Sequence, residues 1–202
     1  MLTKKEVSNI SKTEQKSVVL EEYFKDTESS FPIFSNSRRS IRSFTNETIS
    51  IEKLKRALVL SLNTPSACNR QPFKTYVYTD KNQIQEILQI QGGNRGFGHL
   101  VDKLIIITSE LGVFEATAER HQAYIDGGIY TMNLLYALHY EQIACCVLNC
   151  CNTPKKEKML QEICKTRESE VYIAMIACGI LPKEILIASS PRRNLEEIAT
   201  IQ

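Results

Sequence analysis

Three guanidiniums and three hydroxyls stand close together in Ser37-Arg38-Arg39-Ser40-Ile41-Arg42-Ser43-Phe44. Arginine offers a planar fork of N–H donors that matches phosphate oxygens, so Arg38, Arg39 and Arg42 at this density predict a site for a phosphorylated ligand. A basic tripeptide by itself is ordinarily a solvated surface. The next informative stretch is Pro65-Ser66-Ala67-Cys68-Asn69-Arg70-Gln71-Pro72-Phe73, a turn-forming segment rich in hydroxyl and amide groups. Together the two read as an anion site and a polar cradle.

Other chemistry-bearing residues point to blander roles. The seven cysteines are Cys68, Cys145, Cys146, Cys150, Cys151, Cys164 and Cys178. They form an odd set, which argues against a disulfide framework. Adjacent cysteines chelate poorly compared with a Cys-x-x-Cys pair and no histidine is close in sequence, so no metal is expected and Cys145, Cys146 and Cys178 read as buried thiols. Gly92, Gly93, Gly96 and Gly98 fit a mobile connection better than a phosphate loop, because no G-x-G-x-x-G follows a strand. His99, His121 and His139 read as structural or surface residues, with His121 the best placed of the three to touch a substrate.

The elements that must position these residues form one α+β domain. A chain of 202 residues, 43% hydrophobic and 24% charged, has the composition of an ordinary globular domain with a sizeable core. Its net charge of +2, from 25 basic and 23 acidic residues, argues against nucleic-acid binding driven by bulk charge. No apolar run approaches the roughly 18 residues of a membrane span, and Met1-Leu2-Thr3-Lys4-Lys5 opens without an apolar signal core, so a cytoplasmic protein is expected. Residues 1–34 read as a charged, helical N-terminal extension whose apolar cluster is Val18, Val19, Leu20, Tyr23 and Phe24. Residues 35–202 form the main domain.

Within that domain Ile51, Leu54 and Leu58 recur at helical spacing after Ser50, an N-cap residue. Lys74–Thr79 alternates as a strand, and a helix carrying Ile84, Ile87 and Leu88 starts at Asp80. Leu104–Ile107 reads as a buried strand, as do Ala144–Leu148 and Val171–Cys178. Gly128–Tyr140 is apolar on nearly every face, which predicts a helix enclosed on all sides. Thr153-Pro154 caps a helix carrying Met159, Leu160 and Ile163. Residues 111–125 are ambiguous.

The two opening segments resemble the Arg-x-Ser-x-Arg/Lys-x-Phe and Pro-Ser-x-x-Asn-x-Gln-Pro-Trp/Phe elements of the nitroreductase family of flavin enzymes. Asp126-Gly127-Gly128 with Met132–Tyr140 and Ile143–Cys146 is similar to the family's long helix and following strand. Gly179–Pro182 resembles its glycine turn, and Pro191-Arg192-Arg193 with Leu195–Ile198 its basic tail. These motifs keep the family's order from about residue 35 to 200.

The resemblance implies a mixed sheet flanked by helices in a homodimer with two FMN molecules at the subunit interface. It implies hydride transfer from NADH or NADPH to an organic acceptor by a ping-pong mechanism, the acceptor being a nitro compound, a quinone or another small molecule. The alternatives are a flavin-binding or flavin-processing protein without nicotinamide turnover and a non-catalytic regulatory protein on the same fold. Residue by residue, Arg38, Arg39 and Ser40 match positions at the phosphate and ribityl chain, and Arg42 the cation near the pyrimidine edge. Pro65, Ser66, Asn69 and Gln71 match the segment that approaches from the second subunit. Leu148, Asn149 and Cys150 match the stretch crossing the ring, and Gly179, Arg192 and Arg193 the phosphate end. Phe73 stands where the family favours Trp, and the segment from Ile107 to Asp126 is short for its substrate lid, so neither the acceptor nor the choice between NADH and NADPH follows from the sequence.

Overall fold

A computed structural model describes residues 15–202. Residues 1–14, which belong to the expected N-terminal extension, lie outside the described residues. The element order is β1 (Gln15–Val19), α1 (Leu20–Phe24), α2 (Phe31–Ser37), α3 (Ile51–Ser61), β2 (Phe73–Tyr78), α4 (Lys81–Gln91), β3 (Lys103–Glu110), α5 (Gln122–Tyr140), β4 (Ala144–Asn149), α6 (Pro154–Cys164), β5 (Glu170–Gly179), β6 (Glu184–Ala188) and α7 (Leu195–Ile198).

The β3 run of Leu104, Ile105, Ile106 and Ile107 explains the layering. Side chains alternate across a strand, so Leu104 and Ile106 enter one core with Ile84, Ile87 and Leu88 of α4 and Leu160 of α6. Ile105 and Ile107 enter a second core with Leu54 and Ala57 of α3 and Leu134 and Leu138 of α5. Each of these four β3 residues is fully buried, and each contributes on the order of 1.5–3 kcal/mol of hydrophobic stabilisation. The sheet has the order β2-β3-β5-β4, with a helical layer on either face.

The class is α+β. Every strand pair among the described residues is antiparallel, where a mixed sheet was expected. Antiparallel strands can each present one face to each helical layer, so no parallel crossover is needed to bury both sides. The β3–β5 register shifts between Ile107 and Thr108. This bulge leaves Ile173 unpaired, and Ile173 lies against Gly127 of α5, where an added Cβ would meet its side chain at 2.6 Å.

Two expectations need correction. Gln15–Val19 is a strand, not a helix: it pairs in antiparallel register with β6, while Leu20–Phe24 is helical and buries Tyr23 and Phe24 in the main core. Helix α5 is not enclosed on all sides. Ile125, Ile129, Met132 and Tyr140 form an exposed stripe along it, with Ile129 44% and Tyr140 47% exposed. Its other face meets the sheet and α3.

Local signals account for the helix ends. Asp80 caps α4 by accepting from the Gln83 N–H, and Gly92 closes that helix in the left-handed region at φ 78°. Thr153 caps α6, with Pro154 in its first turn. Ser50 stands at the N-cap of α3 but makes no side-chain cap bond. Residues 111–125, ambiguous in sequence, hold two short 3-10 turns before α5 begins.

The arginine-bearing segment is fastened to the sheet after α2. Ile41 N–H donates to Cys145 O and Thr45 N–H to Ile180 O, both at 2.9 Å. Between them Phe44 packs so closely on the end of β5 that a Cβ on Gly179 would lie 2.4 Å from its ring. Gly179→Ala should therefore destabilise the fold by about 1–3 kcal/mol through overpacking. Denaturant unfolding measures it, and an unchanged midpoint would show that Phe44 is not held there.

Candidate functional site

A cavity of about 510 Å³ lies between the end of α2 and the chain after β6, lined by Arg38, Arg39, Tyr136, Ser189, Ser190 and Arg192 among others. It brings together arginines from the two ends of the main domain. Arg38 is the C-cap residue of α2, and its Nε is buried without a hydrogen-bond partner among the described residues. Leaving such a donor unsatisfied costs about 1–3 kcal/mol, more for a charged group, so an anion in the cavity would recover that penalty.

The neighbouring guanidinium bonds to preceding carbonyls through one nitrogen. Arg39 Nη1 donates to Arg38 O at 2.9 Å and also to Asn36 O. Arg192 Nη1 donates to Ser190 O at 2.5 Å. Arg193 is exposed and does not line the cavity. Further along this irregular segment, Ser40 is half-buried and Arg42 exposed. Arg42 lies against Cys146 on β4: burial pushes that thiol up, and the charges of Arg42 and Arg38 partly offset the rise.

Ser37 and His139 brace this wall from beneath. The Ser37 hydroxyl donates its single proton to Phe34 O at 2.8 Å. Its 2.7 Å contact with His139 Nε2 must then be a donation from the imidazole, which fixes the Nε2–H tautomer and leaves Nδ1 as a buried, unpartnered acceptor. Burial, followed by the Arg38 and Arg39 charges, lowers the His139 pKa from 6.5 to about 4.

The polar cradle is built differently. After α3, the Ala67 N–H meets the buried Asp126 carboxylate at 3.2 Å, and Ser66 Oγ accepts from the Gln71 N–H at 2.9 Å. Cys68, Asn69 and Gln71 all take left-handed backbone conformations, with φ of 52°, 55° and 48°. Non-glycine residues held there cost of order 1–3 kcal/mol each, and such strain gathers where a site is being shaped. Arg70 is ion-paired with Glu119, while Pro65, Asn69 and Gln71 stay exposed.

The cradle and the arginine cavity sit at different stations along α5. Asp126 holds the cradle near the start of the helix, whereas Met132 and Tyr136 face the cavity. At 1.5 Å rise per residue, six to ten positions correspond to about 9–15 Å. No hydrogen bond joins the two groups among the described residues.

The remaining candidates lie elsewhere. Leu148 is buried in β4. Asn149 O accepts from Gln91 Nε2 at 3.2 Å, while its side chain accepts from the Cys151 N–H at 3.3 Å. Burial pushes the Cys150 thiol up to about 12. The Cys145 thiol is likewise raised to about 12. Gly179 accommodates Phe44 and does not line the cavity. Among the described residues, no group of three His, Cys, Asp or Glu side chains could hold a metal ion.

Residues 36–94, which contain both the arginine segment and the cradle, match the model of the nitroreductase family. Solved structures match over most of the chain. The NfrA1 nitroreductase of B. subtilis has a TM-score of 0.72 at 15% identity, covering 83% of this chain and 72% of that one. A structure from Desulfovibrio desulfuricans, described provisionally as a nitroreductase in complex with FMN, gives 0.70 at 22% identity, covering 84% and 94%. An FMN-dependent nitroreductase from Clostridium difficile R20291 gives 0.63 at 18% identity, covering 82% and 92%. The chain has the nitroreductase fold. No curated protein matches it.

Within the nitroreductase fold of this chain, the Ser189-Ser190 pair has no sequence signal, and Tyr23, Ser37 and His139 take supporting roles that the sequence does not announce. His139 had read as structural or surface, and its place beneath two arginines has no local motif to announce it. His121 is exposed at the N-cap of α5. Because the folded His139 pKa lies below its ordinary value, its stabilising effect is complete above about pH 6.5. It is lost as pH falls toward about 4, where the unfolded chain takes up the proton more readily. The wild-type melting temperature should fall across this window, and His139→Gln should flatten the fall. Equal slopes would contradict the buried, neutral imidazole.

Proposed function

We propose that the protein is an FMN-dependent oxidoreductase that takes hydride from NADH or NADPH and delivers it to a small organic acceptor in two half-reactions. The observation that carries this reading is one cavity lined both by Arg38, whose Nε is buried without a partner among the described residues, and by Arg192. A single compact basic cavity suits one phosphate. A dinucleotide pyrophosphate would ask for a glycine-rich strand-to-helix turn, which the sequence lacks. The fold supports the choice, since its solved relatives include an FMN complex and an FMN-dependent enzyme.

FMN, when bound, would supply the two-electron chemistry. The chain's part is binding, placement and electrostatics. Arg38 and Arg192 would hold the phosphate and Ser40 the ribityl chain. Arg42, exposed beside β4, is the cation available where negative charge develops on reduction. The Leu148–Cys150 stretch would face the ring through its backbone. Burial keeps the Cys145, Cys146 and Cys150 thiols protonated, so they are poor nucleophiles and protons can come from solvent.

The site is completed by a second copy in this reading. Asn69 and Gln71 stand apart from the arginine cavity of their own subunit and are free to approach the partner's. The exposed stripe on α5 supports the dimer. Val59 and Leu60 of α3 and Leu62 just after it are exposed as well, and a partner covering both helices would enclose the helix whose apolar faces the sequence predicts to be buried.

Purified protein should be yellow, release FMN rather than FAD on acid treatment, and bleach anaerobically with NADH or NADPH. Arg38→Ala should weaken FMN binding by roughly 1.5–3 kcal/mol with little change in turnover at saturation. Arg42→Ala should mainly lower the flavin potential and slow its reduction. Colourless protein that takes up no FMN would refute the reading. Equal affinity losses with unchanged reduction rates would remove Arg42 from its role.

A further inference from the structure

The cavity's two walls are joined by a part of the chain that the proposed chemistry does not use. The wall at Ser189, Ser190 and Arg192 continues directly from β6, and β6 has no strand partner other than β1 among the described residues. Among the described residues the register reaches Gln15↔Ala188, beside Ser189. Leu20 N–H donates to Lys183 O at 2.9 Å. In an antiparallel ladder alternate residues turn their N–H toward the partner, so Val18 and Lys16 also donate to β6 while Val19 faces away. Ser17 Oγ adds a 2.5 Å bond to Glu184.

The same segment grips the opposite wall. With no linker, β1 passes into α1, whose Tyr23 hydroxyl accepts from the Arg39 N–H at 3.1 Å and donates to Arg39 O at 3.0 Å. One side chain thereby satisfies both backbone groups of the residue after Arg38. The Tyr23 and Phe24 rings also pack on His139, at 5.2 and 5.7 Å between centroids, and His139 donates to Ser37.

We propose that Gln15–Phe24 is a bracket that fixes the Arg38 and Arg192 walls against each other and thereby sets the cavity's affinity for a phosphomonoester. Tyr23 and Val18 are its positioning residues: Tyr23 acts through Arg38, and Val18, by way of β6, through Arg192. Neither touches the ligand. The inference rests on reading the cavity as the phosphate end of an FMN site.

FMN and riboflavin, which lacks the phosphate, separate this claim from general loosening of the fold. Tyr23→Phe and Val18→Pro should each weaken FMN binding on the order of tenfold, the weight of one hydrogen bond, and leave riboflavin binding unchanged. Val19→Pro, whose lost N–H faces away from β6, should bind FMN like the wild type. The Tyr23→Phe loss should vanish in an Arg38→Ala background and the Val18→Pro loss in an Arg192→Ala background. If Val18→Pro does not fold, Ser17→Ala takes its place, with a smaller loss of the same kind. Wild-type affinity for FMN in Tyr23→Phe and the β1 variant, or equal losses for FMN and riboflavin, would overturn the bracket. Wild-type protein that binds riboflavin and FMN equally, or neither, would overturn the phosphate reading of the cavity, and the bracket with it.

Discussion

A guanidinium nitrogen buried without an acceptor is the constraint on which the site depends. The fold holds Arg38 in that condition from several directions. The N–H of Ile41 anchors the segment to β4, Tyr23 binds both backbone groups of Arg39, and the neutral His139 supports Ser37 from below. Arg39 turns Nη1 of its guanidinium onto local carbonyls, while Arg38 Nε is buried without a partner among the described residues. Holding such a group ready in the folded chain removes the reorganisation a ligand would otherwise have to drive.

Much of the architecture was legible because it follows from local pattern. The four apolar residues Leu104–Ile107 marked a strand buried on both faces, and Asp80 and Thr153-Pro154 marked helix starts, whereas Gly92, read as part of a mobile connection, is the left-handed cap that closes α4. The pairing of β1 with β6 was not legible, because Val18 and Val19 in a short charged stretch suit a strand or a helix until a partner strand is known. The apolar periphery of α5 predicted a helix enclosed on all sides. One chain encloses it on one side only.

The arginine segment illustrates the same limit within the site. Its composition pointed to an anion, but the Tyr23 clamp and the His139 tautomer depend on contacts across distances in sequence that no motif spans. Gly179 shows the converse: the motif position was found, and its place in this chain is close packing under Phe44. On the proposed reading, distributing the walls between the end of α2 and the chain after β6 would tie ligand affinity to the pairing of β1, and distributing cavity and cradle along α5 would tie it to association.

The central claim is that the arginine cavity of one subunit and the cradle of another make one FMN site. Co-refolding Arg38→Ala subunits with Asn69→Asp subunits tests it, because Asn69→Asp keeps the shape and left-handed backbone tolerance of the cradle residue while adding a charge. Each variant alone should bind FMN weakly. A mixed dimer should carry one intact site, so the mixture should recover a tight-binding fraction in an FMN titration. Weak binding by each variant with no recovery on mixing would show that cavity and cradle act within one subunit, and the shared site would be contradicted.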